Sequence, residues 1–403
     1  MKLNYDIEWL FKKVYNLQSK SPMPSLGFLS DWDCYSESDQ ELVEIVNSTF
    51  DAAKEKTEKY LFPYEQLQLK EQIRGFLETS YHLHYKDDDL TISPSSTVSI
   101  SLVTSALHLL GCKRLLVITP AYFSLLTNIK KLPFEIVYHH LFNREGFDLR
   151  LGQLETLVVE QYIDAVFLTD PVYSTGVDFI ESSYARLVDI CNKNHSWLIV
   201  DHSLGGLNWN GGNKLMPAGK MKVLAGCEKY CFIDSLSKRL LINGIKFSTI
   251  FGSAAIIDGI DRTSDSLYGA LNSVQTEFMR KIFTSEGENV VVQRINRSVA
   301  DLKSNFELMK SVVADSDYLL PPVNCGYFTY LFHKDKRIRH IDTEKYLDFL
   351  LAQLHIVGLT NDRLGYFEDN NLGLRVNLSL PCSKLARLLR DVSRLPLHSF
   401  HKG

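Results

Sequence analysis

The sequence predicts an α/β fold: a mostly parallel sheet with helices on each face, joined to a smaller α+β domain. Three observations point there. Short β-branched, apolar runs alternate with longer helical patterns through the middle of the chain, as in strand–helix–strand units. The runs show little polar alternation, as strands covered on both faces do. At 403 residues the chain is longer than one ordinary core organises, which argues for two domains.

Residues 1–60 have weak periodicity and are expected to pack on the smaller domain or to reach across a dimer interface. The large domain is assigned to residues 61–280. Within it Arg114–Thr119 (RLLVIT), Phe134–His139, Ala165–Thr169 (AVFLT), Trp197–Val200 (WLIV), Lys229–Asp234 and Ser248–Ser253 read as strands, being short apolar runs rich in β-branched or aromatic residues. Between two of them, Glu181–Asn194 places Tyr184, Leu187, Ile190 and Cys191 at helical spacing. From Gly269 to Asp315 no proline interrupts a stretch rich in Glu, Lys, Gln, Val and Leu, which predicts long helical structure. The turn-rich Asp315–Asn324 (DSDYLLPPVN) ends it. Gly326–Phe332 (GYFTYLF) and Leu374–Leu380 (LRVNLSL) then read as strands of the smaller domain, residues 281–403.

Lys and Arg number 44 against 48 Asp and Glu, a formal net charge of −4, so the chain lacks the basic field of an obligate nucleic-acid binder. A composition 45% hydrophobic and 23% charged excludes collagen-like and wholly disordered readings. Seven cysteines (Cys34, Cys112, Cys191, Cys227, Cys231, Cys325, Cys382) form no CxxC pair. Such an odd, scattered set predicts reduced, buried, inert thiols rather than a disulfide framework or a zinc ribbon, and no metal is expected. The N-terminal MKLNYDIEWLFKKVYNL has no signal-peptide core, and no apolar stretch approaches the ~20 residues of a membrane span. A cytoplasmic protein without membrane or nucleic-acid partners is the expectation.

Ligands in open α/β sheets collect at the carboxyl ends of strands. Asp170 ends one run, Asp201 another, and Ser235–Lys238 follow a third, so three strand ends are expected to converge on one site. No GxGxxG follows a strand, and the GxxxxGK[ST], GxSxG and HExxH patterns do not occur. The positive signal is an ordered series: Thr169–Gly176 (TDPVYSTG), Leu198–Gly205 (LIVDHSLG), Ser235–Ser248 (SLSKRLLINGIKFS), Asn324–Phe328 (NCGYF) and Leu374–Pro381 (LRVNLSLP). In this order and spacing the segments resemble the fold-type I pyridoxal-phosphate (PLP) enzymes of the class I/II aminotransferase group, over roughly residues 55–381. The resemblance implies a seven-stranded-type sheet in the large domain and pyridoxal 5'-phosphate as cofactor.

It also implies roles residue by residue. Lys238, in SxSK, corresponds to the lysine that forms a Schiff base with PLP and moves a proton at the substrate Cα. Asp201 corresponds to the carboxylate that keeps the pyridine nitrogen protonated. The phosphate calls for a helix start, hydroxyls and a cation. Ser96 and Thr97 in SPSSTVS, Ser235 and Lys246 match those places, with Ser95 where a glycine is usual. Lys246 stands where an arginine is usual, so bidentate recognition is lost. Tyr122 in ITPAYF matches the aromatic residue stacked on the ring. Tyr60 in YLFPYEQLQLK matches a tyrosine that reaches the neighbouring subunit's phosphate, which implies a homodimer, although Glu65 replaces an expected glycine. Arg375 resembles the arginine that grips an α-carboxylate. An α-amino acid is therefore the implied substrate, with a 2-oxo acid as co-substrate.

Two departures bear on the reaction. The family's NPxNPTG reads DPVYSTG here, so Tyr173 replaces an asparagine that donates to the cofactor's phenolic oxygen. Leu204 replaces a tyrosine that donates to the same atom. Tyr173 offers one hydroxyl in compensation; those donors help set the pKa of the lysine imine. Transamination through Lys238 is the first expectation. The alternatives are a specialised enzyme of the same fold (elimination or replacement at Cβ or Cγ, cyclisation, or PLP-dependent oxidation) and a non-catalytic PLP-binding protein. His202 reads as an orienting or structural histidine, with an acid–base role as the alternative. Residues that read the substrate side chain are expected around Ser25–Leu29, near Tyr327 and in the partner subunit.

Overall fold

The computed structural model describes residues 8–20, 25–35, 39–56, 58, 63–141, 149–334, 342–364, 372–395 and 400. Its strands are β1 (Gly27–Phe28), β2 (Leu90–Ser93), β3 (Arg114–Thr119), β4 (Glu135–His140), β5 (Ala165–Thr169), β6 (Trp197–Asp201), β7 (Tyr230–Asp234), β8 (Ser248–Gly252), β9 (Tyr318–Leu319), β10 (Phe328–His333), β11 (Ile356–Val357) and β12 (Gly373–Asn377). Seven of them form one sheet in the order β2-β8-β7-β6-β5-β3-β4. From β7 to β4 neighbours run parallel, while β8 is antiparallel to both β7 and β2. The six runs marked in the sequence are thus joined by β2, whose four residues are too few to show a period.

Successive residues of the central strands feed opposite cores. Leu115 and Val117 of β3 and Ile199 of β6 enter one, while Leu116, Ile118, Leu198 and Val200 enter the other. A two-residue period with apolar demand on both faces leaves no room for polar alternation. Helices Ser96–Leu109 and Ala254–Leu267 pack together over the first core. Leu151–Glu160 and Glu181–Lys193 cover the second, the latter burying Tyr184, Leu187, Ile190 and Cys191 as their spacing predicts.

The proline-free stretch forms Ser273–Ile282 and a 29-residue helix, Ser285–Val313. Thr284 caps the latter, its hydroxyl accepting from the Gly287 N–H at 3.0 Å. Val291, Ile295, Leu302, Phe306, Met309 and Val313 recur at helical spacing along its buried face. A second, antiparallel sheet runs β12-β10-β9, with Arg375 opposite Tyr330. The N-terminal segment packs Gln40–Lys54 on the helices that follow the sheet. It also pairs β1 with β11, Gly27 opposite Ile356, and Leu29 bridges Val357 and Asn377 by backbone bonds of 3.0 and 2.8 Å.

All seven cysteines are free, but they are not uniformly buried: Cys34 is half-buried and Cys382 exposed. Cys382 opens the helix Cys382–Ser393 on its outer side, and Cys34, on the N-terminal segment, packs at the edge of the second core. Among the described residues no helix is long and apolar enough to cross a membrane.

Candidate active site

β5, β6 and β7 lie side by side, with Thr169 opposite Asp201 and Asp201 opposite Ile233. Their carboxyl ends, the start of helix Ser96–Leu109 and the N-terminal segment enclose a cavity of about 290 Å³. Its wall includes Ser96, Thr97, Tyr122, Tyr173, Asp201, Ser235, Lys238 and Lys246. Eight expected site residues therefore share one space. Arg375 stands just behind it, and Tyr60 lies outside the described residues.

One end of the cavity is a ring of hydroxyls and a cation. Pairing of Ser93 with Ser248 sets the start of helix Ser96–Leu109 beside the turn that carries Lys246. The Gln275 carboxamide ties the two together, donating to the carbonyls of Pro94 (3.2 Å) and Lys246 (2.5 Å). Ser235 Oγ donates to the Phe247 carbonyl at 3.0 Å and lies 3.0 Å from Ser237 Oγ. Ser95 is the helix N-cap, accepting from the Val98 N–H at 3.3 Å. The remaining first-turn N–H groups have no intrahelical partner, and with the hydroxyls and Lys246 they suit a phosphate.

Lys238 and Asp201 also open on the cavity. Lys238 Nζ donates to Asn243 Oδ1 at 2.7 Å. Burial lowers the pKa of this amine below the ordinary lysine value; Cys34 and Asp33 oppose the shift, and Lys246 and Arg375 add to it. Asp201 Oδ1 accepts from Ser203 Oγ at 2.5 Å and from its N–H at 3.1 Å. Burial nonetheless pushes its pKa up to about 6. Tyr122 faces Tyr173 with ring centroids 5.4 Å apart, and Thr97 Oγ1 lies 3.4 Å from Tyr122 Oη.

Two wall residues, Phe11 and Trp32, had no signal in the sequence, whereas Phe328 belongs to the NCGYF segment and adjoins Tyr327, where substrate-reading residues are expected. Phe11, Trp32 and Phe328 line the cavity, whereas Ser25–Leu29 and Tyr327 do not. Trp32 and Phe328 both pack on the fully buried Arg375 guanidinium, with ring centroids 4.2 and 4.3 Å from Cζ. The arginine donates to the Ser30 carbonyl and, at a long 3.4 Å, to Ser174 Oγ. Its Nε has no partner.

Asp170, expected at the site from its strand-end position, is turned away from the cavity. Its carboxylate accepts from Tyr184 Oη, from the Phe179 N–H at 3.1 Å and from Lys220 Nζ at 2.6 Å. Lys220 also pairs with Asp178. His202 belongs to the same buried layer, its Nδ1 3.2 Å from Asp234 Oδ1, and Asp234 in turn pairs with Arg239. Burial lowers the His202 pKa, so the ring is neutral and acts as a structural bridge. Ligand atoms of Asp170, Asp178 and His202 come within 4.8 Å of one another, but the Lys220 ammonium already supplies the cation between the two carboxylates. The Gly205–Gly206 turn is packed against this layer: Gly206 has φ +81°, and a Cβ there would overlap Arg239.

The cavity fits pyridoxal phosphate by an observation independent of any motif. Thr169 Oγ1, on a wall residue, is buried without a hydrogen-bond partner, and Tyr173 Oη has only weak contacts with Ser174 and Trp32. Orphaned polar atoms of this kind are costly unless a ligand satisfies them.

Comparison with known proteins agrees. No curated protein matches the sequence. The fold is similar to that of an aspartate aminotransferase double mutant from Thermus thermophilus, at 13% identity, TM-score 0.80, covering 96% of this chain and 95% of that one. It is also similar to N-succinyldiaminopimelate aminotransferase from Mycobacterium tuberculosis (16%, TM-score 0.75, 95% and 96%) and to substrate-bound BacF from Bacillus subtilis (14%, TM-score 0.77, 96% of each). Residues 33–392 match the sequence model of the family described as aminotransferase class I and II, so the chain belongs to that family and is a pyridoxal-phosphate-dependent transferase.

Proposed function

We propose that the protein is an aminotransferase that moves the amino group of an α-amino acid to a 2-oxo acid, acting in the cytoplasm as a homodimer to whose neighbouring phosphate site Tyr60 contributes. The observation that carries the reading is the opening of Lys238 and Asp201 onto the same cavity as Ser96, Thr97, Ser235 and Lys246. Bound pyridoxal phosphate supplies a carbonyl that captures amines and a ring that takes up electrons from the α-carbon. The protein's own groups do the rest. Lys238, its pKa lowered by burial, would be the amine that bonds the cofactor and the base that takes the α-proton. Asp201, ionised above about pH 6, would keep the ring nitrogen protonated. Tyr122 would stack on the ring, and the Tyr173 hydroxyl would be the donor available to the phenolic oxygen. Arg375, with Nε unpartnered and only a long bond to Ser174, retains donors for an α-carboxylate.

Leu204 on the wall favours a second reading. With one donor to the phenolic oxygen replaced by an apolar group, elimination, replacement, cyclisation or oxidation on the same scaffold is the alternative. Isotopically labelled amino acids, each offered with a 2-oxo acid, separate the two. Transfer of the label into a new amino acid, with stoichiometric loss from the donor, supports transamination. Consumption of the donor without transfer of the label, whether the nitrogen leaves as ammonia (elimination, oxidation) or stays on a changed side chain (replacement, cyclisation), supports the second reading. No turnover of any donor by a protein that binds the cofactor contradicts both.

A further inference from the structure

The amine of Lys238 and the cover of Arg375 meet at one side chain. Asn243, five positions beyond Lys238, accepts from Lys238 Nζ at 2.7 Å through Oδ1. Its Nδ2 donates to the Trp32 carbonyl at 2.6 Å and lies 3.3 Å from Cys34 Sγ. That carbonyl can only accept, so it requires the amide nitrogen on its side and leaves the oxygen facing the lysine. Trp32 is also the ring stacked on Arg375.

We propose that Asn243 is a positioning residue for Lys238, holding the free amine at the cavity and tying it to the segment that carries Trp32. The proposal rests on Lys238 as the anchoring amine. A neutral acceptor is the suitable choice. It orients an N–H donor in either protonation state, whereas a carboxylate in its place would keep the amine charged and non-nucleophilic. The charged and titratable groups that face Lys238 are Cys34 and Asp33 on the N-terminal segment, Lys246 on the turn before β8 and Arg375 on β12. Asn243 adds direction to this set without adding charge.

The test uses full-length protein without cofactor. Amines are acetylated with acetic anhydride over a pH series, and the Lys238 peptide is followed by mass spectrometry, with exposed Lys54 as internal reference. In Asn243→Asp the pH midpoint of Lys238 acetylation should rise by about one unit or more. In Asn243→Ala it should fall, because an acceptor for the charged form is gone. A midpoint unchanged in both, or moved the same way in both, overturns the proposal; if the alanine variant does not fold, the aspartate variant decides alone. The readout needs no cofactor, so a Lys238 that failed to anchor one would leave these shifts intact and be detected separately by the spectrum of the loaded protein.

Discussion

Asp201→Asn should make the cofactor-free protein more stable and the cofactor-bound one weaker. Asp201 is fully buried, and its pKa of about 6 stands roughly two units above the usual 3.8. Two units correspond to about 3 kcal/mol of disfavoured charge. A raised folded pKa means that the folded state prefers the protonated form. The contribution is therefore complete below about pH 4 and is lost as pH rises to about 6. Asparagine keeps the shape and can still accept from Ser203, without the charge. Melting curves of the two cofactor-free proteins should coincide near pH 4, separate up to about pH 6, and then stay apart by roughly 5 °C in favour of the variant. Titration with pyridoxal phosphate at neutral pH should show the reverse order. Loss of a charge-assisted hydrogen bond, about 1.5–3 kcal/mol, weakens binding roughly 10- to 150-fold. A variant that melts at or below the wild type at neutral pH, or a gap that ignores pH, would refute the argument.

Three further outcomes are expected. Lys220→Met strips the cation from between Asp170 and Asp178 and should destabilise the fold by about 3–5 kcal/mol; an unchanged denaturation midpoint would show that the pair is dispensable. Gly206→Ala, which drives a Cβ into Arg239, should cost clearly more than Gly211→Ala, where φ is also positive but nothing lies within 4 Å; the latter should lose only about 1–2 kcal/mol of left-handed strain, and equal losses would count against the packing at Gly206. Tyr173→Phe removes a hydroxyl held only by weak contacts with Ser174 and Trp32, so the cofactor-free protein should lose little stability. In the loaded variant, the pH midpoint of the lysine-bound cofactor's absorption change should move upward, and an unmoved midpoint would remove Tyr173 from the role of donor.

What the sequence makes legible depends on range. The central strands stand out because both faces are buried, and Asp201 and Lys238 stand out because each directly follows such a run. β2 escapes notice, being four residues at the sheet's antiparallel margin. Asp170 has the same local signature as Asp201, yet Lys220 and Tyr184 hold its carboxylate away from the cavity. A strand-end position marks the residue, not the direction of its side chain. The cover of Arg375 is the extreme case, since Ser30 and Arg375 are 345 positions apart. The pairing of β1 with β11 and the Leu29–Asn377 backbone bond bring that segment home, and two-residue strands carry no periodic signal.

The central claim is that Lys238 anchors pyridoxal phosphate in this cavity. It is tested most directly by the absorption spectrum of the purified protein with added cofactor, wild type beside Lys238→Ala, followed by titration with amino acids. The band of lysine-bound cofactor should be present in the wild type alone and should shift when a substrate amino acid is added. The same band in the alanine variant, or no band in either protein, would contradict the account.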